Sequence, residues 1–133
     1  MNSHWFVLAS RISAAALVCL SFSSLYAADR FWITPTGGGW GTPGIADADW
    51  SIPDGGAGGA TAPSTMDIAN FTLNNTYTVT FSTNVTNTDL DIENGIVTFD
   101  LNAFTYTLTS ASGVDIGNVA SQSGRLTITH GTL

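Results

Sequence analysis

Three acidic residues, Asp89, Asp91 and Glu93, lie two positions apart along the chain. Residues at positions i and i+2 of a β-strand share one face, so these side chains are predicted to form a single acidic row. Such a row supplies oxygen ligands of the kind that Ca²⁺ prefers, or a carboxylate pair of the kind that glycosidases use. A solvated strand face with Leu90 and Ile92 buried behind it accounts for the same spacing without a ligand.

Three tryptophans, Trp32, Trp40 and Trp50, form the second candidate site. Exposed aromatic rings stack on sugar rings, so these residues are a candidate platform for a carbohydrate. The alternative is a cap, because a repeat protein needs a specialised terminal unit to cover its first coil, and large rings serve this purpose. We favour the cap and retain the platform as the second interpretation.

Other catalytic and metal-binding sets are incomplete in the sequence. After residue 27 there is no cysteine and one histidine, His130, which excludes thiolate sites, two-histidine metal sites and a cysteine–histidine pair. The Gly-rich run 55–60 lacks the aspartate of a Ca²⁺-binding nonapeptide, and the chain has no lysine for a phosphate loop. The segment 87–89 (NTD) matches one motif of β-helical polygalacturonases, but their other motifs are missing. We predict no enzyme activity, no cofactor and no metal site beyond the weak acidic row.

The elements that would position these residues are strands. Apolar residues alternate with Thr or Asp in segments such as 77–81 (YTVTF) and 97–101 (VTFDL), a period that is typical of half-buried β-strands. The chain contains no lysine, one glutamate and one glutamine, so the best polar helix formers are scarce. The sequence therefore predicts an all-β protein. Gly95, Gly113 and Gly131 are spaced 18 residues apart, which suggests a structural repeat of that length.

The charge of the chain excludes two classes of partner. It has three basic residues against ten acidic ones, and a formal net charge of -7. Binding to nucleic acid requires a basic patch that neutralises phosphates, and attraction to an anionic membrane surface has the same requirement. We expect neither partner.

The sequence divides into three regions. Residues 1–27 are predicted to be a signal peptide, since Arg11 precedes an uncharged apolar stretch over 12–22 that is too short to span a bilayer, with cleavage after Ala27 or Ala28. Residues 28–66 are rich in Gly and Pro, contain the three tryptophans and are predicted to form an N-terminal cap and loop. Residues 67–133 form the predicted β-strand repeat region. We expect a chain that is secreted or held at the cell surface.

Short, regularly spaced strands fit either a solenoid or a sandwich. We favour a right-handed β-solenoid, because Thr recurs at equivalent outward positions and stacked coils would align it in ladders. A β-sandwich is the alternative. The repeat region stops without a polar terminal unit, so we expect either further C-terminal sequence or edge-to-edge association of copies.

The order of several motifs resembles that of a known family. Trp32, the segment 37–40 (GGGW), Trp50, Pro53 and the segment 67–71 (DIANF) precede the strand segments 94–101 (NGIVTFDL) and 124–133 (GRLTITHGTL). This is similar to the N-terminal part of bacterial secreted proteins with autotransporter-associated β-strand repeats, including PEP-CTERM-type proteins. The resemblance implies a secreted or surface β-solenoid with no known reaction.

The expected function follows from these interpretations. We expect an exported, non-enzymatic β-solenoid segment with a structural role in adhesion, a matrix or the cell surface, where polysaccharides are possible partners. The first alternative is a carbohydrate-binding β-sandwich module. The second is a fragment of a β-helical enzyme that acts on polysaccharides.

Overall fold

The computed structural model describes residues 27–133, so the predicted signal peptide, apart from Ala27, lies outside the described residues. In this range the chain forms eleven short strands and no helix, which confirms the all-β prediction. The strands are β1 (Asp29–Trp32), β2 (Gly38–Gly39), β3 (Trp50–Ser51), β4 (Ile68–Phe71), β5 (Thr76–Thr80), β6 (Val85–Asn87), β7 (Asp89–Ile92), β8 (Ile96–Asp100), β9 (Tyr106–Leu108), β10 (Val114–Ile116) and β11 (Arg125–Thr129).

The strands belong to three sheets, which we name A, B and C. Sheet A has the order β10-β7-β4-β1-β3, sheet B has the order β11-β8-β5-β2, and sheet C consists of β6 and β9. Consecutive strands from β4 to β11 therefore belong to sheets A, B, C, A, B, C, A and B in turn. All named pairs are parallel except β1 with β3. Parallel pairing does not fit the β-sandwich alternative, because sandwiches pack antiparallel sheets.

The register of the sheets corrects the expected 18-residue repeat. Paired residues are 21 positions apart between β4 and β7, 20 between β5 and β8, and 29 between β8 and β11. Gly95 precedes a strand of sheet B, Gly113 precedes a strand of sheet A, and Gly131 follows β11. The three glycines occupy different places in the fold, because the connecting loops differ in length.

The core contains the inward side chains of all three sheets. The period of two is confirmed in β5, where Tyr77 and Val79 are buried while Thr76, Thr78 and Thr80 are exposed. Eight aromatic rings make up the largest part of this core, and the rings that pack together have centroids 4.9–6.4 Å apart. They belong to Trp32, Trp40, Trp50, Phe71, Tyr77, Phe81, Phe99 and Tyr106.

The region 28–66, predicted to be a cap and loop, contributes strands to the sheets as well. β1 pairs in parallel with β4, and β2 pairs in parallel with β5. Gly37 makes the second contact possible, because its φ is +86° and a Cβ there would overlap the backbone of Thr78. Arg30 on β1 lies 3.7 Å from the Asp67 carboxylate and donates a hydrogen bond to Thr61 (3.1 Å). The two strand pairings and the contact of Arg30 with Asp67 join the two regions.

Candidate functional site

The three tryptophans lie inside the protein. Trp32 and Trp50 are 0% exposed and Trp40 is 1% exposed. Trp50 meets Trp32 and Trp40 at centroid distances of 5.3 and 5.0 Å, and its Nε1 donates a hydrogen bond to the Trp40 carbonyl (2.9 Å). Stacking on a sugar requires an exposed ring face, and none of these rings has one. The carbohydrate platform is therefore wrong for these residues, since the rings are used to fill the core.

The rings also pack onto the strands that follow. Trp32 stacks on Phe71 and Tyr77, and Trp40 stacks on Phe81. Aromatic pairs of this kind contribute about 0.5–1.5 kcal/mol each beyond the burial of their area. The aromatic residues of 28–66 thus stabilise β4 and β5 by direct contact.

The predicted acidic row lies on the outer face of sheet A. Asp89 and Asp91 alternate with the buried Leu90 and Ile92 along β7, as the spacing predicted. The register places Asp91 between Asn70 of β4 and Asp115 of β10. Sequence reasoning missed Asp115, because it is 24 positions from Asp91 and only the pairing of β7 with β10 brings the two together.

The acidic row changes the titration of its central residue. Burial raises the pKa of Asp91 to about 6, and the negative charges of Asp115, Asp89, Glu93 and Asp29 act in the same direction. The uncharged form of Asp91 is thus favoured by the fold, since a nearby carboxylate makes ionisation less favourable. Asp91 will be partly protonated in mildly acidic solution.

The three Ca²⁺ candidates are not arranged around a common point. Asp89 Oδ1 accepts hydrogen bonds from Ser112 Oγ (3.0 Å) and from the Gly113 amide (3.1 Å). Glu93 Oε2 accepts one from Gln122 Nε2 (2.8 Å). Among residues 27–133, no group of three His, Cys, Asp or Glu side chains is arranged to hold a metal ion. Asp89 and Glu93 are used to attach the loops that flank β10, and the Ca²⁺ interpretation receives no geometric support.

The remaining sequence candidates also have structural roles. His130 is a turn residue with φ +54°, and its Nδ1 lies 2.9 Å from Asp100 Oδ1. This contact, with the Asn102 amide as a second donor, lowers the pKa of Asp100. In the segment 87–89, Asn87 is buried and its side chain donates to the backbone carbonyl of Asp89 (2.6 Å). The polygalacturonase-like triplet is therefore a local turn contact.

Threonine rows cover the outer face of sheet B. The pairings of β5, β8 and β11 align one row of three threonines, and a second row in which a carboxylate lies between two threonines. The rows are Thr78, Thr98 and Thr127, and Thr80, Asp100 and Thr129. These side chains are exposed or half-buried, and the Thr129 hydroxyl donates a hydrogen bond to the Phe99 carbonyl (3.3 Å). The two rows make up a regular polar surface on the outer face of sheet B.

In the part of the chain that the structure describes, four buried side-chain atoms have no hydrogen-bond partner: Trp40 Nε1, Tyr77 OH, Tyr106 OH and Asn87 Oδ1. Burial raises the pKa of both tyrosines. The phenols therefore stay neutral under ordinary conditions. The alternation over 77–81 placed Tyr77 on the apolar face of a strand, but the sequence contained no signal for the unpaired hydroxyls.

Comparison with known proteins adds no relative. No protein-family model matches the chain, and the searches of curated proteins and of solved structures found no match. In residues 27–133 no helix has the length and apolar character that crossing a membrane requires.

Proposed function

We propose that this protein is an exported, non-enzymatic β-solenoid whose outer faces have a structural role at a cell surface, in a matrix or in adhesion. The observation that carries the proposal is the cyclic order of the sheets. The chain passes from sheet A to B to C and then begins again, and each strand pairs in parallel with the one three positions earlier from β7 onward. This order is what a solenoid of three-strand coils produces, with each coil burying its inner face against its neighbour.

The handedness of the proposed coil follows from general chain geometry. A connection between parallel strands of one sheet is right-handed in about 98% of cases. The strands of sheets A and B advance in the same direction along the stack, from β1 to β10 and from β2 to β11. We therefore propose a right-handed coil, closed at its first end by the aromatic residues of 28–66.

The proposed structural role rests on the use of the polar residues. Those that first suggested chemistry, Asp89, Glu93 and Asn87, bind loops and turns of this chain. The outer face of sheet B instead offers a row of three aligned threonines, Thr78, Thr98 and Thr127, which suits multiple weak hydrogen bonds to polysaccharide or to another hydrated polymer. The order of motifs that resembles bacterial surface proteins with β-strand repeats agrees with this proposal.

Cysteine pairs test the coil directly, because residues 28–133 contain no cysteine. Thr78 and Thr98 are direct partners in sheet B, and strands lie about 4.8 Å apart, within the Cα separation that a disulfide allows. Mild oxidation should therefore cross-link the double variant T78C/T98C. The control pair T98C/T107C is closer in sequence but lies on two different sheets. Cross-linking of the control alone would contradict the proposed stacking.

Two experiments test the proposed role at the cell surface: export of the chain from a bacterium, and retention of the purified protein on a polysaccharide. The chain is expressed with its N-terminal segment in a bacterium, and the fractions are analysed by intact mass. We expect a product in the medium or on the cell surface that begins at Ala28 or Asp29, whereas a soluble product that retains Met1 would contradict export.

Retention of the purified protein on an insoluble polysaccharide then tests the outer face of sheet B. Thr98→Glu should weaken retention, while Thr107→Glu on sheet C should not. Equal retention of the wild type and Thr98→Glu would exclude this face as the contact surface.

A further inference from the structure

The two outer residues of the acidic row hold the segment of chain that contains β10. Asp89 Oδ1 accepts a hydrogen bond from the Gly113 amide (3.1 Å), and Glu93 Oε2 accepts one from Gln122 Nε2 (2.8 Å). These two contacts lie on either side of β10 along the chain. We name residues 112–122 the docking segment, because side chains of β7 attach it at both of its ends.

The central residue of the row acts against these two attachments. Asp91 is the direct register partner of Asp115, so two carboxylates occupy paired positions of neighbouring strands on the outer face of sheet A. Neighbouring strands lie about 4.8 Å apart, and like charges at paired positions destabilise a sheet. The docking segment is thus held at two points and repelled at the point between them.

The charges that act on Asp91 are all negative. They come from β1, β7 and β10, and belong to Asp29, Asp89, Glu93 and Asp115. β4, on the other side of β7, contains no charged residue. The basic side chains of the described residues lie elsewhere: Arg30 points to the other face of β1 and contacts Asp67, whereas Arg125 belongs to β11 of sheet B and His130 follows it. The repulsion on this face is therefore relieved when Asp91 takes up a proton.

We propose that the acidic row of β7 is a pH-responsive attachment for the docking segment, which it holds more tightly in mildly acidic than in neutral solution. A proton on Asp91 removes one of the two facing charges, while the hydrogen bonds to Asp89 and Glu93 hold the segment at its ends. In neutral solution the ionised Asp91 faces Asp115, and the segment opens more often. This device goes beyond the proposed structural role, because it couples the last described coil to the acidity of the surroundings.

The direction of the pH effect follows from the titration of Asp91. Its pKa is raised from 3.8 to about 6, first by burial and then by the charge of Asp115, so the docked segment favours the protonated form. Docking is therefore most stable below about pH 4, weakens as the pH rises to about 6, and is least stable above that pH. One pKa unit corresponds to about a tenfold change in an equilibrium constant. Because solvent screens this half-buried site, we expect the open fraction to rise roughly tenfold between about pH 4.5 and pH 7.5.

Hydrogen exchange of single amides tests the proposal. The Gly117 amide donates to the Ile92 carbonyl (3.1 Å) and reports on the docking segment, whereas the Arg125 amide donates to the Gly95 carbonyl (2.9 Å) and serves as the control on sheet B. Protection factors correct for the intrinsic effect of pH on exchange. From about pH 4.5 to pH 7.5, the protection factor of Gly117 should fall roughly tenfold and that of Arg125 should stay the same. An unchanged value for Gly117, or an equal fall of both, would overturn the proposal.

Two variants distinguish the proton of Asp91 from other titrations. Asp91→Asn removes the titrating group and should make the protection of Gly117 independent of pH over this range. Asp115→Asn removes the facing charge but not the burial, so it should reduce the pH dependence without abolishing it. Asp100→Asn is the matched control, because Asp100 is also a half-buried outward carboxylate of a central strand but belongs to sheet B. Circular dichroism verifies that each variant is folded. A pH dependence that persists in full in Asp91→Asn or in Asp115→Asn, or that is lost only in the control, would contradict the proposed attachment.

Discussion

Replacing Phe99 by alanine should produce the largest loss of stability among single core substitutions in the repeat region. The Phe99 ring is 0% exposed, and it packs against Phe71, Phe81, Tyr106 and Trp40 at centroid distances of 5.3–5.8 Å. Strands lie on both sides of β8, so the surroundings have little freedom to collapse into the space left by the ring. For a ring buried in this way, Phe99→Ala should lower the free energy of unfolding by about 4 kcal/mol, which is within the usual range for Phe→Ala substitutions.

The cost is large compared with the total stability of such a domain, which is about 5–15 kcal/mol. In urea, with a denaturant dependence of about 2 kcal/mol per molar, the midpoint should fall by about 2 M. Tryptophan fluorescence is a suitable probe, because Trp32, Trp40 and Trp50 lie in the same aromatic core.

Two control variants distinguish burial from a general effect of substitution. Phe104→Ala removes the same atoms from a half-buried position next to β9, and it should cost clearly less. Thr98→Ser changes an outward residue adjacent to Phe99 and should alter stability by a few tenths of a kcal/mol. If Phe99→Ala and Thr98→Ser shifted the urea midpoint equally, the assignment of inner and outer faces in β8 would be refuted.

Two further predictions concern charge and backbone conformation. The folded-state pKa of Asp91 is raised to about 6 from an ordinary value near 4, so the fold favours the protonated form. The resulting loss of stability develops between about pH 4 and pH 6 and is fully present above pH 6. Asp91→Asn should therefore stabilise the protein at pH 7–8 by about 1 kcal/mol, a figure reduced for solvent screening at this half-buried site. Thermal melts over a pH series should show that this gain disappears below about pH 4. Gly95 has φ +78°, and a Cβ there would overlap the Leu73 and Asn75 carbonyl oxygens, so Gly95→Ala should cost about 2–3 kcal/mol in thermal melts. Gly113→Ala should cost less, because at φ +67° its Cβ would meet only the Ser110 carbonyl oxygen at 3.9 Å, an ordinary contact.

The sequence predicts well which side chains of a strand point inward and which point outward. The inward positions of β5, β7 and β8 follow directly from the period of two, because successive side chains of a strand must point to opposite faces. The acidic residues of β7 were placed on the outer face for the same reason. This inference needs no knowledge of which strands pair.

The candidate sites were predicted less well. The side chains of Asp89 and Glu93 were expected to share a function, yet each binds a different loop beside β10. The loop residues that supply their partners are 23–29 positions away in sequence, and no local pattern marks them. Spacing identifies which residues share a face but contains no information about what approaches that face.

The sequence by itself determines the strand class, the outward and inward positions and the acidic character of this protein, since all three depend on local composition and on the geometry of a single strand. The tertiary structure alone decides which residues pair, because loop lengths between strands are not encoded by the alternation. The sequence separation of paired residues varies between 20 and 29 from β4 to β11 and reaches 41 between β2 and β5. The tertiary structure alone also places the three tryptophans in the core and Asp115 beside Asp91, because both outcomes depend on contacts between segments far apart in the chain. A large ring is stable either on a surface site or in a core, and only the packing of the other strands around it selects between them.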